Sequence, residues 1–83
     1  MALQFVGIDP NTGGGNCPAV WVDDEKQEIL VQGWLPDEVT AERCAQDSPR
    51  PDTEGIVRLP YRMAEIIRRA LDDAEASWLR GTA

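Results

Sequence analysis

The sequence predicts a small α+β domain with elements in the order β-β-β-(α)-β-α. In this fold, a long C-terminal amphipathic helix packs on one face of a small antiparallel or mixed sheet. Three observations predict it: three short runs rich in β-forming residues come first, a polar turn joins the second to the third, and an apolar stripe with helical period follows near the end. The length of 83 residues predicts a single domain over residues 1–83.

The first predicted strand is Leu3–Ile8, which is rich in β-formers and is stopped by Asp9-Pro10. Two further runs, Ala19–Val22 and Glu28–Trp34, flank a polar stretch centred on Glu25-Lys26. Strand, polar turn and strand at this spacing predict a β-hairpin.

A hairpin that closes around Glu25-Lys26 divides its residues between two faces, because side chains alternate along a strand. One face is uniformly β-branched and suited to receive a helix: Val20, Val22, Ile29 and Val31. The other face is aromatic and mixed, and it needs a cover of its own: Ala19, Trp21, Leu30, Gln32 and Trp34.

A short helix is predicted after Asp37, a residue type that caps helices. The polar, proline-containing stretch Asp47–Asp52 is predicted to be loop, and Gly55–Leu59 to be a fourth, brief strand. The short helix has small apolar residues at helical spacing: Ala41, Cys44 and Ala45.

The last predicted element is an amphipathic helix with Pro60 at its first position and Gly81 just past its end. Its polar face is explained by solvation, with Glu65 and Arg69 as an i,i+4 pair. Its apolar residues keep the period of a helix: Met63, Ile66, Ile67, Ala70, Leu71, Ala74 and Trp78.

Charge excludes several classes of partner. The chain has 15 acidic and 8 basic residues and a formal charge of −7, which repels phosphate backbones and anionic lipid surfaces. We therefore expect no direct nucleic-acid binding and no membrane association. No histidine is present, which removes the commonest general base and zinc ligand, and we expect no metal and no cofactor. Without a signal-peptide pattern, Cys17 and Cys44 are expected to be reduced thiols in a cytoplasmic protein.

The loop Gly7–Pro18 has two interpretations. As structure, Asp9 and Asn11 make side-chain turns and Gly13-Gly14-Gly15 supply left-handed conformations between strands. As chemistry, Gly-Ile-Asp-Pro resembles the start of resolvase-type RNase H-like nucleases, in which a strand-end aspartate helps to hold magnesium. This resemblance implies a metal-dependent nuclease remnant that uses Asp9 with Asp23 or Asp24. Two-metal chemistry needs several converging carboxylates, and the fourth predicted strand ends without one, so the structural interpretation is favoured.

Four segments together resemble a group of small, uncharacterised actinobacterial proteins that are often encoded near helix-turn-helix regulators. The segments are Phe5–Thr12, Val20–Asp23, Val31–Trp34 and Val57–Met63. No activity or catalytic residue carries over from that group. The resemblance implies a regulatory accessory role.

These observations predict a non-enzymatic protein-binding module that forms a homodimer or accompanies a transcriptional regulator. Because one helix covers one sheet face, the expected protein-binding residues are on the other: Trp21, Leu30, Gln32 and Trp34. A competing interpretation buries the two tryptophans in a small second core under the glycine loop and the short helix. Another hypothesis, an acidic inhibitor that mimics DNA, is weakened because the acidic residues of the last helix are interleaved with arginines: Asp72, Asp73 and Glu75 with Arg68, Arg69 and Arg80.

Overall fold

The computed structural model describes residues 3–11 and 17–82, with side chains through residue 80. It shows a three-stranded antiparallel sheet followed by helices, with the C-terminal helix packed on the sheet, which confirms the predicted α+β class. The glycines Gly13-Gly14-Gly15 lie outside the described residues. The strands are β1 (Leu3–Ile8), β2 (Ala19–Asp23) and β3 (Glu28–Gln32), and they lie side by side in that order.

The hairpin β2–β3 has the predicted register. Trp21 pairs with Leu30, and the neighbouring pairs follow without a shift. A four-residue turn connects the strands over residues 24–27, and the Asp23 side chain accepts a hydrogen bond from the Lys26 backbone nitrogen at 3.1 Å. The turn closes through Gln27, whose φ of 56° lies in the left-handed region.

The ladder between β1 and β2 contains an irregularity that inserts one residue. Phe5 pairs with Trp21, but Gly7 pairs with Val20, so Val6 is the extra residue of a β-bulge. Past the bulge, Gly7 points toward the helix side of the sheet, where a Cβ atom would lie 3.0 Å from Cγ2 of Ile66. Glycine at this position lets the helix approach β1 closely.

The C-terminal segment starts with a 3₁₀ turn at Tyr61–Met63 and continues as helix α2 (Ala64–Thr82). One 3₁₀ turn therefore separates Pro60 from the start of the α-helix. At its other end, the helix runs through Gly81, although the sequence predicted that it would end just before this residue. Glycine permits the conformation that ends a helix but does not impose it. Among the described residues, no helix combines the length and apolar character that crossing a bilayer requires.

Helix α2 packs on the β-branched face, but it covers only part of that face. Val20 and Val22 are buried against it, as predicted, whereas Ile29 and Val31 remain 40% and 42% exposed. A helix about 10 Å across spans two strands spaced about 4.8 Å apart, so the outer strand β3 extends beyond its cover. Among the described residues, five buried side chains form one hydrophobic cluster, which is the core under α2: Val20, Val22, Met63, Ile66 and Ala70.

Helix α1 (Glu38–Asp47) has the predicted cap. The Asp37 side chain accepts a hydrogen bond from the Thr40 backbone nitrogen at 2.8 Å, and hydrogen bonding to Thr40 holds the pKa of Asp37 below its ordinary value of 3.8. The cap therefore contributes fully above about pH 3.8 and is lost as the pH falls through the lowered value. None of the ten residues of α1 is buried.

The predicted fourth strand, Gly55–Leu59, is reduced to a single antiparallel bridge between Trp34 and Arg58. The two residues exchange backbone hydrogen bonds of 3.0 and 2.7 Å. Two features account for this correction. Pro60 lacks the N–H group that would extend the ladder, and the segment crosses Gly33 so closely that a Cβ there would lie 2.6 Å from the Arg58 carbonyl oxygen.

We predict that Gly33→Ala destabilises the protein by roughly 1–3 kcal/mol, because the added methyl group forces the Arg58 segment away from Trp34. Gly55→Ala is the matched control, since a methyl group at that position would have nothing within 4 Å of it. Loss of backbone entropy from the unfolded chain makes that variant neutral or slightly more stable. Urea unfolding measures both, and equal midpoints would contradict the close approach.

Candidate protein-binding surface

Six apolar side chains remain at least partly accessible on the sheet face opposite α2. Leu3, which is 41% exposed, lies opposite the charged Asp23. We call the other five the open face: Phe5, Ile8, Trp21, Leu30 and Trp34. Strand pairing and alternation place them together, with Phe5 opposite Trp21 and Trp21 opposite Leu30. Trp21 is half-buried, and the other four are between 38% and 58% exposed. Three of the four predicted binding residues, Trp21, Leu30 and Trp34, therefore lie on one accessible surface.

Phe5 belongs to this surface, although the sequence reasoning did not include it. Its ring centroid lies 5.9 Å from that of Trp21, with the ring planes inclined at 59°, an arrangement favoured by aromatic quadrupoles. The pairing depends on how β1 joins β2. The alternation that begins with Leu3 and Phe5 was the available signal for this pairing. The bulge at Val6 shifts the register, so alternation alone does not show which residues of β1 and β2 face each other.

Gln32, the fourth predicted residue, has a structural contact. Its side-chain Nε2 donates a hydrogen bond to the Cys17 carbonyl oxygen at 2.8 Å. This contact ties the end of the β1–β2 connection to β3. The adjoining Pro18 and Ala19 are buried, whereas Ile8, which pairs with Ala19, is 47% exposed.

The short helix does not form the second core that the competing interpretation required. Helix α1 has no buried residue and makes no extended contact with any strand. A hydrogen bond of 3.0 Å from Arg58 Nη1 to the Thr40 hydroxyl oxygen connects α1 to the segment that pairs with Trp34. Among the described residues, the middle of the open face keeps its exposure.

The middle of the open face carries no charge. The charged residues that share this face in β2 and β3 are Asp23 and Glu28, at the end next to the hairpin turn. A partner that covers Phe5, Trp21 and Leu30 therefore needs an apolar surface and no particular charge there.

Asp9, the residue on which the nuclease hypothesis depends, forms a buried ion pair. Its carboxylate oxygens accept hydrogen bonds from Arg62 Nε at 2.6 Å and from Arg62 Nη2 at 2.7 Å. Oδ1 also accepts from the Asn11 backbone nitrogen at 3.2 Å, which is the side-chain turn expected from the sequence. The Asp9 side chain is fully buried, and that of Arg62 is 39% exposed. Hydrogen bonding to Asp9 raises the pKa of Arg62.

The geometry does not bring Asp9 near its proposed co-ligands. Ile8 pairs with Ala19, so Asp9 lies beyond the start of β2, whereas Asp23 lies at the other end of that strand. Four residues of strand separate the two ends by about 13 Å, and paired catalytic metal ions lie about 3.5–4 Å apart. In the described parts of the chain, no three Cys, Asp or Glu residues form a group that could hold a metal ion.

Sequence reasoning missed the role of Arg62. The available signal was Asp9 itself, because a carboxylate that is buried at a strand end requires a cation or several hydrogen-bond donors as its partner. The chain has 8 basic residues, however, and nothing in their spacing selects Arg62.

We predict that Arg62→Gln lowers the thermal midpoint more than Asp9→Asn does. The first variant leaves a buried carboxylate without its ion pair, whereas the second leaves a partly exposed guanidinium that water can solvate. Arg69→Gln, on the exposed side of α2, is the control for loss of one arginine and should leave the midpoint unchanged. Differential scanning calorimetry measures all three. An Arg62→Gln midpoint equal to that of Arg69→Gln would exclude a stabilising role for the pair.

Comparison of the chain with protein-family models, curated proteins and solved structures gives no match.

Proposed function

We propose that this chain is a non-enzymatic protein-binding module that uses the open face, and that its primary partner is a second copy of itself. One observation carries the proposal: Phe5, Ile8, Leu30 and Trp34 expose 38–58% of their surface on one face whose middle carries no charge. Large apolar residues grouped in this way are typical of interaction sites. An uncharged apolar face is also complementary to its own copy.

The exposed area supports a weak, concentration-dependent dimer. Complete burial of a large apolar side chain stabilises by about 1.5–3 kcal/mol, and these four side chains have roughly half of that still available. For two copies the gain is on the order of 6–12 kcal/mol, which is comparable with the estimated 4–15 kcal/mol cost of association. The open face alone therefore gives association that responds to protein concentration.

The response to salt distinguishes self-association from binding to a basic transcriptional regulator. Two copies that each carry a formal charge of −7 repel one another, and salt screens that repulsion over a distance of about 10 Å at 0.1 M. Added salt should therefore strengthen the dimer. A basic helix-turn-helix regulator would instead be attracted by this charge, and salt would weaken that complex.

A cytoplasmic, regulatory setting is part of the proposal. Its support is the resemblance to proteins encoded near regulators, together with Cys17 and Cys44, which are not joined to each other by a disulfide. The proposal includes no cofactor, no membrane contact and no direct contact with nucleic acid, in keeping with the acidic charge.

We predict that Leu30→Lys weakens self-association by more than tenfold, because it places a charge in the centre of the open face. Val31→Lys is a closely matched control. The two residues are neighbours in β3 with exposures of 39% and 42%, and they point to opposite faces of the sheet. Sedimentation equilibrium over a range of protein concentrations measures the dissociation constants.

The same experiment at about 50 and 500 mM NaCl tests the charge argument. The proposal expects tighter self-association at the higher salt and a selective loss in Leu30→Lys. A wild-type chain that stays monomeric at millimolar concentration, or equal effects of the two lysine variants, would contradict it.

A further inference from the structure

Helix α2 is longer than the sheet on which it packs. Its 19 residues extend about 28 Å, whereas strands of five or six residues extend about 17–20 Å. The helix starts beside Asp9 and runs toward the hairpin turn. Ala70 is its last buried residue among those whose side chains are described, and Trp78, two turns later, is 56% exposed. The second half of the helix therefore extends past the core.

The part of α2 that follows Ala70 and the turn end of the hairpin form a groove between them. The groove has a volume of about 540 Å³, within the range of about 300–1,000 Å³ that is typical of ligand sites. Its apolar surface is formed by Val22 and Ile29 of the hairpin and by Leu71, Ala74 and Trp78 of α2. Leu71 and Ile29 remain half-exposed, so an apolar side chain that enters the groove removes their surface from water.

The rim of the groove is acidic. Asp23, Asp24 and Glu28 line it from the hairpin and Glu75 from the helix, and its lining contains no lysine or arginine. In the described part of the chain, Asp24, Glu28 and Glu75 have no ion-pair partner. These carboxylates give the rim of the groove a negative charge.

We propose that this groove binds a basic amphipathic segment of a partner protein. An apolar side chain of that segment occupies the space between Ile29 and Trp78, and flanking lysines or arginines pair with the acidic rim. The Trp78 indole adds a favourable surface for a cation. Charge complementarity selects this occupant over a second copy, because another chain with a charge of −7 would be repelled by the same rim.

The groove is separate from the open face. It lies between α2 and the hairpin on the helix side of the sheet, whereas Leu30 and Trp21 point to the other side. Self-association through the open face leaves the groove accessible, so this second site goes beyond the proposed function. Each site can be tested while the other is intact.

The test uses a fluorescein-labelled helical peptide built from leucine and lysine, titrated with the full chain and followed by fluorescence anisotropy. The matched probes are a leucine and glutamate peptide, which has the apolar face with the opposite charge, and a serine and lysine peptide, which has the charge without the apolar face. The proposal expects binding of the first probe, weakened by added salt, and much weaker binding of both others.

Charge reversal on the protein locates the site. Glu75→Lys, on the rim, should weaken binding by about three- to tenfold, and Trp78→Ala should also weaken it. Asp73→Lys is the matched control, because it makes the same change of charge on the same helix without lining the groove. Both lysine substitutions are at exposed positions, and circular dichroism checks that helical content is unchanged.

Several outcomes would overturn the proposal. These are no binding of the leucine and lysine peptide at millimolar concentration, equal binding of the leucine and glutamate peptide, or equal weakening by Glu75→Lys and Asp73→Lys. Sedimentation of Trp78→Ala provides a further test. If this substitution disrupts the dimer while Leu30→Lys does not, the groove is the surface for self-association, and both this proposal and the assignment of the open face fail.

Discussion

The paired hydrogen bonds between the Arg62 guanidinium and the Asp9 carboxylate join the start of the C-terminal helix to the end of the first strand. The two residues are 53 positions apart in the chain, and the carboxylate is fully buried. A core of five buried hydrophobic residues drives association of helix and sheet but gives little orientation. A bidentate contact adds a defined geometry between the two groups. From this anchored start, α2 runs toward the hairpin turn.

Sequence periodicity was sufficient to predict the hairpin register and the division of its two faces, because backbone geometry alone sets the alternation of Trp21 and Leu30 against Val20 and Val31. The amphipathic stripe likewise predicted α2. Three features depend on contacts between distant segments, and local pattern does not encode them. These are the bulge that brings Phe5 opposite Trp21, the choice of Arg62 as partner for Asp9, and the crossing at Gly33 that leaves only one bridge of the fourth strand. The open face was therefore predicted in part, and the groove was not predicted.

Both candidate surfaces arise from a mismatch between one helix and a short, three-stranded sheet. In width, the helix covers two strands, so β3 is exposed along its whole length and the opposite face has no helix over its centre. In length, the helix exceeds the strands, and its second half extends past the core. The side of the sheet without a helix keeps apolar side chains with no charges among them. The second half of the helix lies beside carboxylates that have no ion-pair partner among the described residues. The same packing arrangement thus yields two surfaces with different chemical requirements.

The bulge at Val6 also changes what β1 offers as an outer strand. β1 is an outer strand of the described sheet, and an outer strand offers backbone donors and acceptors to which a strand of another molecule can add. The inserted residue breaks the regular spacing of those groups and increases the local twist, so an incoming strand finds only short matching runs on either side of it. Addition of a strand along β1 is thereby disfavoured.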